Sequence, residues 1–261
     1  MILEQLCKFK HIKFREVNHT YMYGQKRLTS TTTILGKYKP EFKAKFWAGK
    51  KAKERKVSKK TIEKEWEYKR NYGLTKGNII HRYIENYFNS RIYDYPFEEV
   101  KEILGDKNVL YQPVQVLKSH FHKFWKERQD YLIPVKSEWI IGDTELMVGG
   151  TIDQLFYNLQ TEMYEIHDWK NNKQFRTEAT FENWMKPPLH HIDASNELEA
   201  YSLQLSIYRT ILERNTDLEI GGCYLNWLFE ENDSYKSFLA HDLRKEANRV
   251  LIQHAGLQFN N

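Results

Sequence analysis

Two aspartates and a lysine follow apolar segments in the middle of the sequence. Asp153 lies within an apolar, β-branched segment, and Asp168 and Lys170 end the next such segment. Two carboxylates held close together repel each other unless a cation lies between them, and oxygen ligands of this kind suit Mg²⁺ or Mn²⁺. Lys170 lies two residues after Asp168 and therefore projects from the same face of a strand. These residues predict a divalent-metal site with a lysine that stabilises developing negative charge or orients an attacking water.

The segments around these residues predict the strands that bring them together. Residues 146–158 and 163–170 are predicted as strands paired through a hairpin turn at 159–162. This pairing places Asp153 and Asp168 close together at one edge of a sheet. The pattern [Asp/Glu]-x-Lys is weak evidence by itself, because it occurs five times in the chain. The alternative is an ordinary strand end that turns into a polar loop.

A predicted helix over residues 77–90 carries a histidine and a glutamate on one face. His81 and Glu85 are four residues apart in the pattern Gly77-x-x-x-His81-x-x-x-Glu85, so they point the same way. The glycine permits another segment to approach the helix backbone. A neutral imidazole is a common metal ligand, which would let His81 complete the site. The alternative is a histidine whose hydrogen bonds are satisfied in the core or at the surface.

A second predicted helix, over residues 198–214, presents an amide and a phenol on one face. The pattern is Tyr201-x-x-Gln204-x-x-x-Tyr208. Gln204 and Tyr208 would face the site or the backbone of a nucleic acid. Ordinary packing with one solvated amide is the alternative.

The other hydrophobic patterns complete an α/β order of elements. Helix, three strands, helix and strand follow one another, which is typical of an α/β layer domain. The further predicted elements are short strands over 11–35, including the stretch from Leu28 to Leu35, a helical segment over 41–72 with a break near Val57-Ser58 and an N-cap at Ser58, an irregular segment over 94–110, a helix over 114–128, a strand over 133–141, a loop over 171–195, strands over 221–229 and 237–239, and a closing helix over 242–256.

Taken in order, these motifs resemble the RecB-like branch of the PD-(D/E)XK nuclease superfamily. The matching positions are Gly77-x-x-x-His81-x-x-x-Glu85, Gly150-x-x-Asp153, Asp168-x-Lys170 and Gln204-x-x-x-Tyr208. The N-terminal pattern His19-x-Tyr21 and Leu28-x-Ser30-x-Thr32-x-Ile34-Leu35 is similar to the start of phage-encoded exonucleases of this branch and of the mitochondrial genome-maintenance exonuclease. Thr31 departs from the apolar β-branched residue that relatives more often carry. The resemblance covers about residues 19–230.

The resemblance implies a fold and a metal site. The fold would be a restriction-endonuclease-like core, a central mixed β-sheet flanked by helices, in a single nuclease domain over residues 1–261. Asp153 and Asp168 would bind one or two Mg²⁺ or Mn²⁺ ions. The carbonyl of Trp169 and the imidazole of His81 would be further ligands.

The resemblance also implies residues for the reaction itself. Lys170 would be the catalytic lysine. Glu85, Gln204 and Tyr208 would be helper residues that line the site. Glu138 stands where family members often carry a further acid.

Positive charge is concentrated in one segment of the chain. Between residues 37 and 70 there are fourteen Lys or Arg and five Asp or Glu, so this segment carries +9 and the rest of the chain −4. We predict that residues 37–76 form a basic helical insertion that binds the DNA backbone with salt-dependent affinity. The candidate phosphate contacts are Lys43, Lys45, Lys50, Lys51, Lys53, Arg55, Lys56, Lys59 and Lys60. The interleaved aromatic residues, which would stack on unpaired bases or instead face the core, are Phe42, Phe46, Trp47 and Trp66.

Composition excludes several classes of protein. No segment has the run of about 18 apolar residues that a spanning helix needs, and the N-terminus does not resemble a secretory signal. Cys7 and Cys223 are the only cysteines, too few for a four-cysteine zinc or iron–sulfur site. These features favour a reducing, cytoplasmic location without a membrane, and the resemblance suggests a phage-encoded protein acting in the host cytoplasm.

The leading hypothesis is a metal-dependent DNA nuclease, most of all an exonuclease acting on DNA ends or single strands. The alternatives are a structure-specific endonuclease, a non-catalytic nucleic-acid-binding protein on a nuclease fold, and a metal-dependent hydrolase or binder of small anionic ligands. No Gly-x-x-x-x-Gly-Lys-[Ser/Thr] loop is present. Any unwinding would therefore come from a partner such as a helicase, recombination or replication protein.

Overall fold

An eight-stranded mixed sheet flanked by helices forms the described part of the chain, which comprises residues 2–15, 18, 20–179 and 183–256 of a computed structural model. This architecture confirms the predicted α/β class. The elements in chain order are α1 (Ile2–Cys7), β1 (Ile12–Arg15), β2 (Thr20–Tyr23), β3 (Lys26–Ser30), α2 (Thr31–Gly36), α3 (Ala44–Arg55), α4 (Lys59–Phe88), α5 (Phe97–Leu104), α6 (Tyr111–Lys126), β4 (Leu132–Asp143), β5 (Val148–Asn158), β6 (Met163–Lys170), α7 (Glu197–Asn215), β7 (Ile220–Trp227), β8 (Lys236–Leu239) and α8 (Arg244–Ala255). His19 of the N-terminal pattern lies outside the described residues.

The sheet is ordered around β5 and β6. Its strands run β1-β2-β3-β5-β6-β7-β8, and β4 pairs with β5 off this path. The β3–β5 and β6–β7 pairs are parallel and the other pairs are antiparallel. The predicted hairpin between the strands that carry Asp153 and Asp168 is confirmed, since β5 and β6 pair antiparallel across residues 159–162.

Apolar side chains from several helices pack on the central strands and fix their positions. Leu203, Ile207 and Ile211 of α7 belong to the largest buried cluster, together with residues of β4 and β5. A second buried cluster joins α4, α6, β5 and β6, and it includes Ile84 and Trp169. The strands that carry the candidate site are thus held by helices that also belong to the core.

Helix α4 corrects the prediction of two separate helices. It runs without a break from Lys59 to Phe88, so the expected helix start at Gly77 is wrong. An interior glycine costs about 1 kcal/mol relative to alanine. Burial of Ile79, Ile80 and Ile84 offsets that cost here, because burying each such side chain contributes about 1.5–3 kcal/mol. The predicted boundary at residue 76 therefore falls inside a helix.

The beginning of this helix is as predicted. The Ser58 side chain accepts a hydrogen bond from the Thr61 N–H at 3.0 Å, which satisfies one of the free donors of the first turn. The preceding helix α3 packs against α4 through a small cluster of Ala48, Ala52 and Ile62.

Two other local predictions are wrong. The stretch Thr31–Gly36 is the short helix α2, not a strand, because the Ser30 side chain caps it by accepting from the Thr33 N–H at 3.1 Å. The segment 94–110, expected to be irregular, contains α5, which ends where Gly105 adopts a φ of 83°. No helix within the described ranges is both long and apolar enough to cross a membrane.

Candidate metal centre

Strands β5 and β6 separate at the position of the two predicted carboxylates. Their ladder pairs Asn158 with Met163 at one end and Gln154 with His167 at the other. At the next residue, the Asp153 carboxylate accepts the backbone N–H of Trp169 at 2.8 Å. A side-chain oxygen therefore replaces a main-chain acceptor, and it lies in the opening between the two strands.

His81 reaches this opening from α4. Its Nδ1 lies 3.6 Å from a carboxylate oxygen of Asp153 and 3.6 Å from one of Glu138. Its Nε2 lies 3.0 Å from the carbonyl oxygen of Trp169. A Cβ added to Gly77, one turn earlier, would lie 3.0 Å from the amide nitrogen of Asn171. The glycine thus permits close packing of α4 on the chain that leaves β6.

Glu138 is held in an uncommon backbone conformation. Its φ is 44°, in the left-handed region that a non-glycine residue occupies at a cost of about 1–3 kcal/mol. Ser137 and Trp139 of β4 pair with Gln154 and Ile152 of β5. Glu138 of β4 therefore lies opposite Asp153 of β5. Such strain persists only where the surrounding structure imposes it, and here it accompanies a carboxylate at the centre.

Lys170 forms a buried ion pair with Asp168. The lysine Nζ lies 2.6 Å from Asp168 Oδ2, with exposed side-chain fractions of 16% and 4%. The same Nζ lies 4.4 Å from the centroid of the Tyr201 ring on α7, which is within cation–π range. The ammonium group is therefore fixed by two partners beside the Asp153 carboxylate.

The concentration of charge shifts the pKa of each group. The pKa of Asp168 is raised to about 6, because burial and the charge of Asp153 together outweigh the opposing effect of Lys170. Burial also raises the pKa of Asp153. Burial lowers the pKa of His81, but Asp153 and Glu138 outweigh it and raise the pKa to about 9. The pKa of Lys170 is raised in the same way, because its carboxylate neighbours outweigh burial.

The donor set fits a divalent cation. One ligand atom each of His81, Glu138 and Asp153 lies within 4.8 Å of the others. Ligand atoms bound to one ion at about 2.0–2.6 Å are at most about 5 Å apart, so this group is compact enough. An imidazole, carboxylates and the nearby Trp169 carbonyl suit Mn²⁺ or Mg²⁺. This compact group of possible ligands includes Glu138 but not Asp168, whose carboxylate instead forms an ion pair with Lys170.

Gln204 and Tyr208 lie together beside β5. The Gln204 amide donates to the Tyr208 hydroxyl at 3.0 Å. A Cβ added to Gly150 would lie 2.4 Å from a ring carbon of Tyr208, so only glycine allows this ring to pack there. Burial raises the pKa of Tyr208, and the charges of Asp153 and Asp168 contribute to the shift. The structure thus brings this pair to the centre.

Glu85 is the predicted site residue whose side chain shows no bond to the other members of the centre among the described residues. It is half-buried one turn beyond His81, and its side chain forms no hydrogen bond or ion pair with the described residues. Tyr201, by contrast, contacts the catalytic-lysine candidate although its role was not predicted. The signal that could have identified it is its position three residues before Gln204, on the same helix face.

The basic segment forms an exposed surface on α3 and the first half of α4. All nine of its predicted phosphate contacts are exposed. Phe42, Phe46 and Trp47 are 65%, 62% and 41% exposed. Trp66 instead packs against the Ala48–Ala52–Ile62 cluster. The alternative that the aromatics face the core therefore holds for Trp66 only.

Comparisons with known proteins give no family. No protein-family model and no curated protein matches the chain. Among solved structures, one titled "Crystal structure of SSO0001" is 11% identical, with 72% of this chain and 86% of that chain covered and a TM-score of 0.26. A TM-score this low carries no argument, so the resemblance to PD-(D/E)XK nucleases stays a prediction from the motifs.

Proposed function

We propose that this chain is a metal-dependent DNA nuclease that hydrolyses phosphodiester bonds, most of all an exonuclease on DNA ends or single strands. The observation that carries the proposal is the meeting of four elements at one point. These elements are α4, β4, β5 and β6. The possible metal ligands His81, Glu138 and Asp153 lie there next to the buried Asp168–Lys170 ion pair. Buried carboxylates with raised pKa values and a nearby fixed cation are common at catalytic sites.

Each residue has a chemical task in this proposal. Asp153, His81 and Glu138, with the Trp169 carbonyl, would hold a divalent cation. When bound, such an ion neutralises charge on phosphate oxygens and lowers the pKa of a water molecule. Lys170 stabilises the negative charge that develops on the phosphate, because Asp168 and Tyr201 hold its ammonium group in place.

The reaction is a simple hydrolysis. A water oxygen forms a bond to phosphorus, and the bond from phosphorus to one ester oxygen breaks. The water loses a proton and the leaving oxygen gains one, so one product end carries a phosphate and the other a hydroxyl. Gln204 and Tyr208 line the centre on the α7 side and would exclude bulk water from it.

The basic surface supports nucleic acid as the substrate. A small anionic substrate would not need an exposed surface of nine basic residues on α3 and α4. Phosphate contacts from lysines account for salt-dependent binding to any sequence. The exposed Phe42 and Phe46 rings among these lysines favour a strand with unpaired bases.

A cleavage assay tests the proposal. Duplex and single-stranded oligonucleotides, labelled at either end, are incubated with wild type and Lys170→Ala in Mg²⁺, Mn²⁺ or EDTA. The proposal expects cation-dependent degradation that disappears in EDTA and in Lys170→Ala. Shortening from one labelled end identifies an exonuclease, whereas discrete internal cuts identify a structure-specific endonuclease.

A matched control separates chemistry from folding. Lys245→Ala removes an exposed lysine on α8, a helix that carries none of the proposed site residues, and it should retain cleavage. DNA binding without cleavage under every condition would contradict the enzyme and leave a non-catalytic nucleic-acid-binding protein.

A further inference from the structure

A cleft of about 810 Å³ lies beside the metal centre, and none of the residues assigned to that centre lines it. Its walls are α4 around residues 68–76, the chain directly after β6 at 171–173, and the chain after β7 at 229–231. Asn171, which lines the cleft, follows Lys170 directly and packs against α4 at Gly77. The cleft therefore opens next to the lysine of the proposed site. Its volume lies within the range of about 300–1,000 Å³ typical of ligand pockets.

Aromatic rings form much of its wall. Tyr68 is 44% exposed, and its ring centroid lies 6.3 Å from that of Tyr72. Phe229, on the opposite segment, is 6% exposed. Exposed aromatic faces of this kind stack on nucleic-acid bases whatever their sequence.

A buried ion pair makes the floor of the cleft rigid. Lys76, 4% exposed, lies 2.6 Å from both carboxylate oxygens of Glu230. Its ammonium group also lies 5.2 Å from the Phe229 ring centroid and 5.7 Å from that of Tyr72. Lys76 and Glu230 thus neutralise each other and hold the two aromatic walls in place.

The rim of the cleft is positively charged. Lys69, Arg70 and Lys173 are exposed there, against the exposed acid Glu231. This charge suits the phosphates on either side of a base.

Two amide groups offer hydrogen bonds that nothing in the described residues uses. The side-chain nitrogen of Asn171 and the side-chain oxygen of Asn172 are buried without a hydrogen-bond partner. A buried polar group without a partner is unfavourable. One donor and one acceptor in an aromatic cleft suit the polar edge of a base.

We propose that this cleft binds one unpaired base of the nucleic-acid strand next to the scissile phosphate. The inference rests on the proposed nuclease function and adds a substrate requirement to it. A base in a duplex is stacked on both faces and paired at its edge, so it cannot enter such a cleft without leaving the helix. The strand must therefore be unpaired at that nucleotide.

Binding measurements with a non-cleaving form test the cleft. Fluorescence anisotropy measures the binding of a labelled oligothymidylate to the Lys170→Ala protein, which is the parent in these experiments. Tyr68→Ala and Tyr68→Trp are each added to that parent. Loss of the ring should weaken binding about tenfold, and the tryptophan should restore it. Tyr23→Ala is the control, because Tyr23 is 41% exposed on the distant strand β2. Blunt duplex should bind Tyr68→Ala as well as it binds the parent.

An abasic scan locates the bound nucleotide. Each base of the oligonucleotide is removed in turn. Besides the positions that stack on Phe42 and Phe46 of the basic surface, binding to the parent should fall at one position, which the cleft holds. At that position Tyr68→Ala should show no further loss, because the removed base and the removed ring belong to the same contact. A flat scan, or an equal loss for Tyr68→Ala on duplex, would overturn the base-binding cleft.

The outcomes separate the cleft from the nuclease. Cleavage by wild type together with a flat abasic scan would contradict the cleft and leave the nuclease. The predicted abasic pattern without any cleavage by wild type would support the cleft and contradict the nuclease. Binding to neither single strand nor duplex would overturn both.

Discussion

The two halves of helix α4 have opposite surroundings. In residues 59–73 the buried residue is Ile62, which packs only against the small cluster with α3. In residues 75–88 the helix buries Ile79, Ile80 and Ile84 in the main body of the molecule and presents His81 to the candidate metal centre. One continuous helix therefore joins a basic surface to a buried polar site.

This difference shows how one element can serve two purposes. The side chains of the first half are mostly exposed and many are charged, whereas the second half buries apolar side chains against the rest of the molecule. At about 1.5 Å per residue, the 21 residue-to-residue steps from Lys60 to His81 span about 32 Å. Because the helix is unbroken, a strand bound along the lysines would be held at a fixed distance from the metal ligand.

The largest expected difference between the halves is in catalysis. His81→Ala, in the second half, should reduce cleavage by about 10³-fold, because a lost metal contact costs several kcal/mol of transition-state stabilisation. Glu67→Ala, at an exposed position in the first half, should leave the rate of cleavage unchanged. Single-turnover cleavage rates in Mn²⁺ measure both. Equal rates for the two variants would break the comparison.

The next difference is in stability. Ile84→Ala removes a side chain that is 1% exposed, and it should lower the free energy of unfolding by about 2–5 kcal/mol. Phe46→Ala, on the exposed surface that adjoins the first half, should change it by less than about 0.5 kcal/mol. Urea unfolding followed by circular dichroism gives both values. A large loss for Phe46→Ala would show that its ring packs in a core.

Sequence patterns predicted the strands of the site better than its helices. Apolar, β-branched segments and a turn at 159–162 were sufficient to predict the β5–β6 hairpin and hence the positions of Asp153 and Asp168. The unbroken α4 was missed because Gly73 and Gly77 suggest a break. Packing of Ile79 and its neighbours on distant strands outweighs that local preference, and such packing is absent from a local pattern.

Long-range contacts explain what else the sequence did not predict. The Lys76–Glu230 ion pair joins residues 154 positions apart, and the contact of Lys170 with Tyr201 depends on how α7 crosses the sheet. Glu138 was named only through the family resemblance. Its approach to His81 depends on a left-handed backbone conformation that no local pattern indicates for a glutamate.

The affinity for metal should depend on pH through His81, which lies in the second half of α4. A metal ligand must be a neutral imidazole, and the pKa of His81 is raised to about 9, so the metal displaces a proton at neutral pH. The affinity for Mn²⁺ should therefore rise with pH, by up to about tenfold per unit between pH 6 and 8. Asp168, with a pKa of about 6, strengthens the trend at the acidic end. Calorimetry in buffers of different ionisation enthalpy counts the protons released, and an affinity independent of pH would contradict this.

The salt dependence of DNA binding should come from the lysines on α3 and on the first half of α4. Lys50→Glu with Lys53→Glu should weaken DNA binding about tenfold at low salt and reduce the salt dependence, because each lost phosphate contact removes about 0.9 from the slope. Lys8→Glu with Lys10→Glu, exposed near the N-terminus, makes the same charge change elsewhere. Anisotropy at several salt concentrations compares the two pairs. Equal effects would mean that only net charge matters and would remove the role of the α3–α4 surface.

Binding of Mn²⁺ itself is the most direct test of the proposed centre. Isothermal titration at pH 7.5 compares wild type with Asp153→Asn, which keeps the shape of the side chain but removes its charge, and with Asp130→Asn, an exposed control. We expect one or two ions to bind to wild type and Asp130→Asn, with at least one of them lost in Asp153→Asn. Wild type that binds no Mn²⁺, or Asp153→Asn that binds it as wild type does, would contradict a metal centre between β5, β6 and α4.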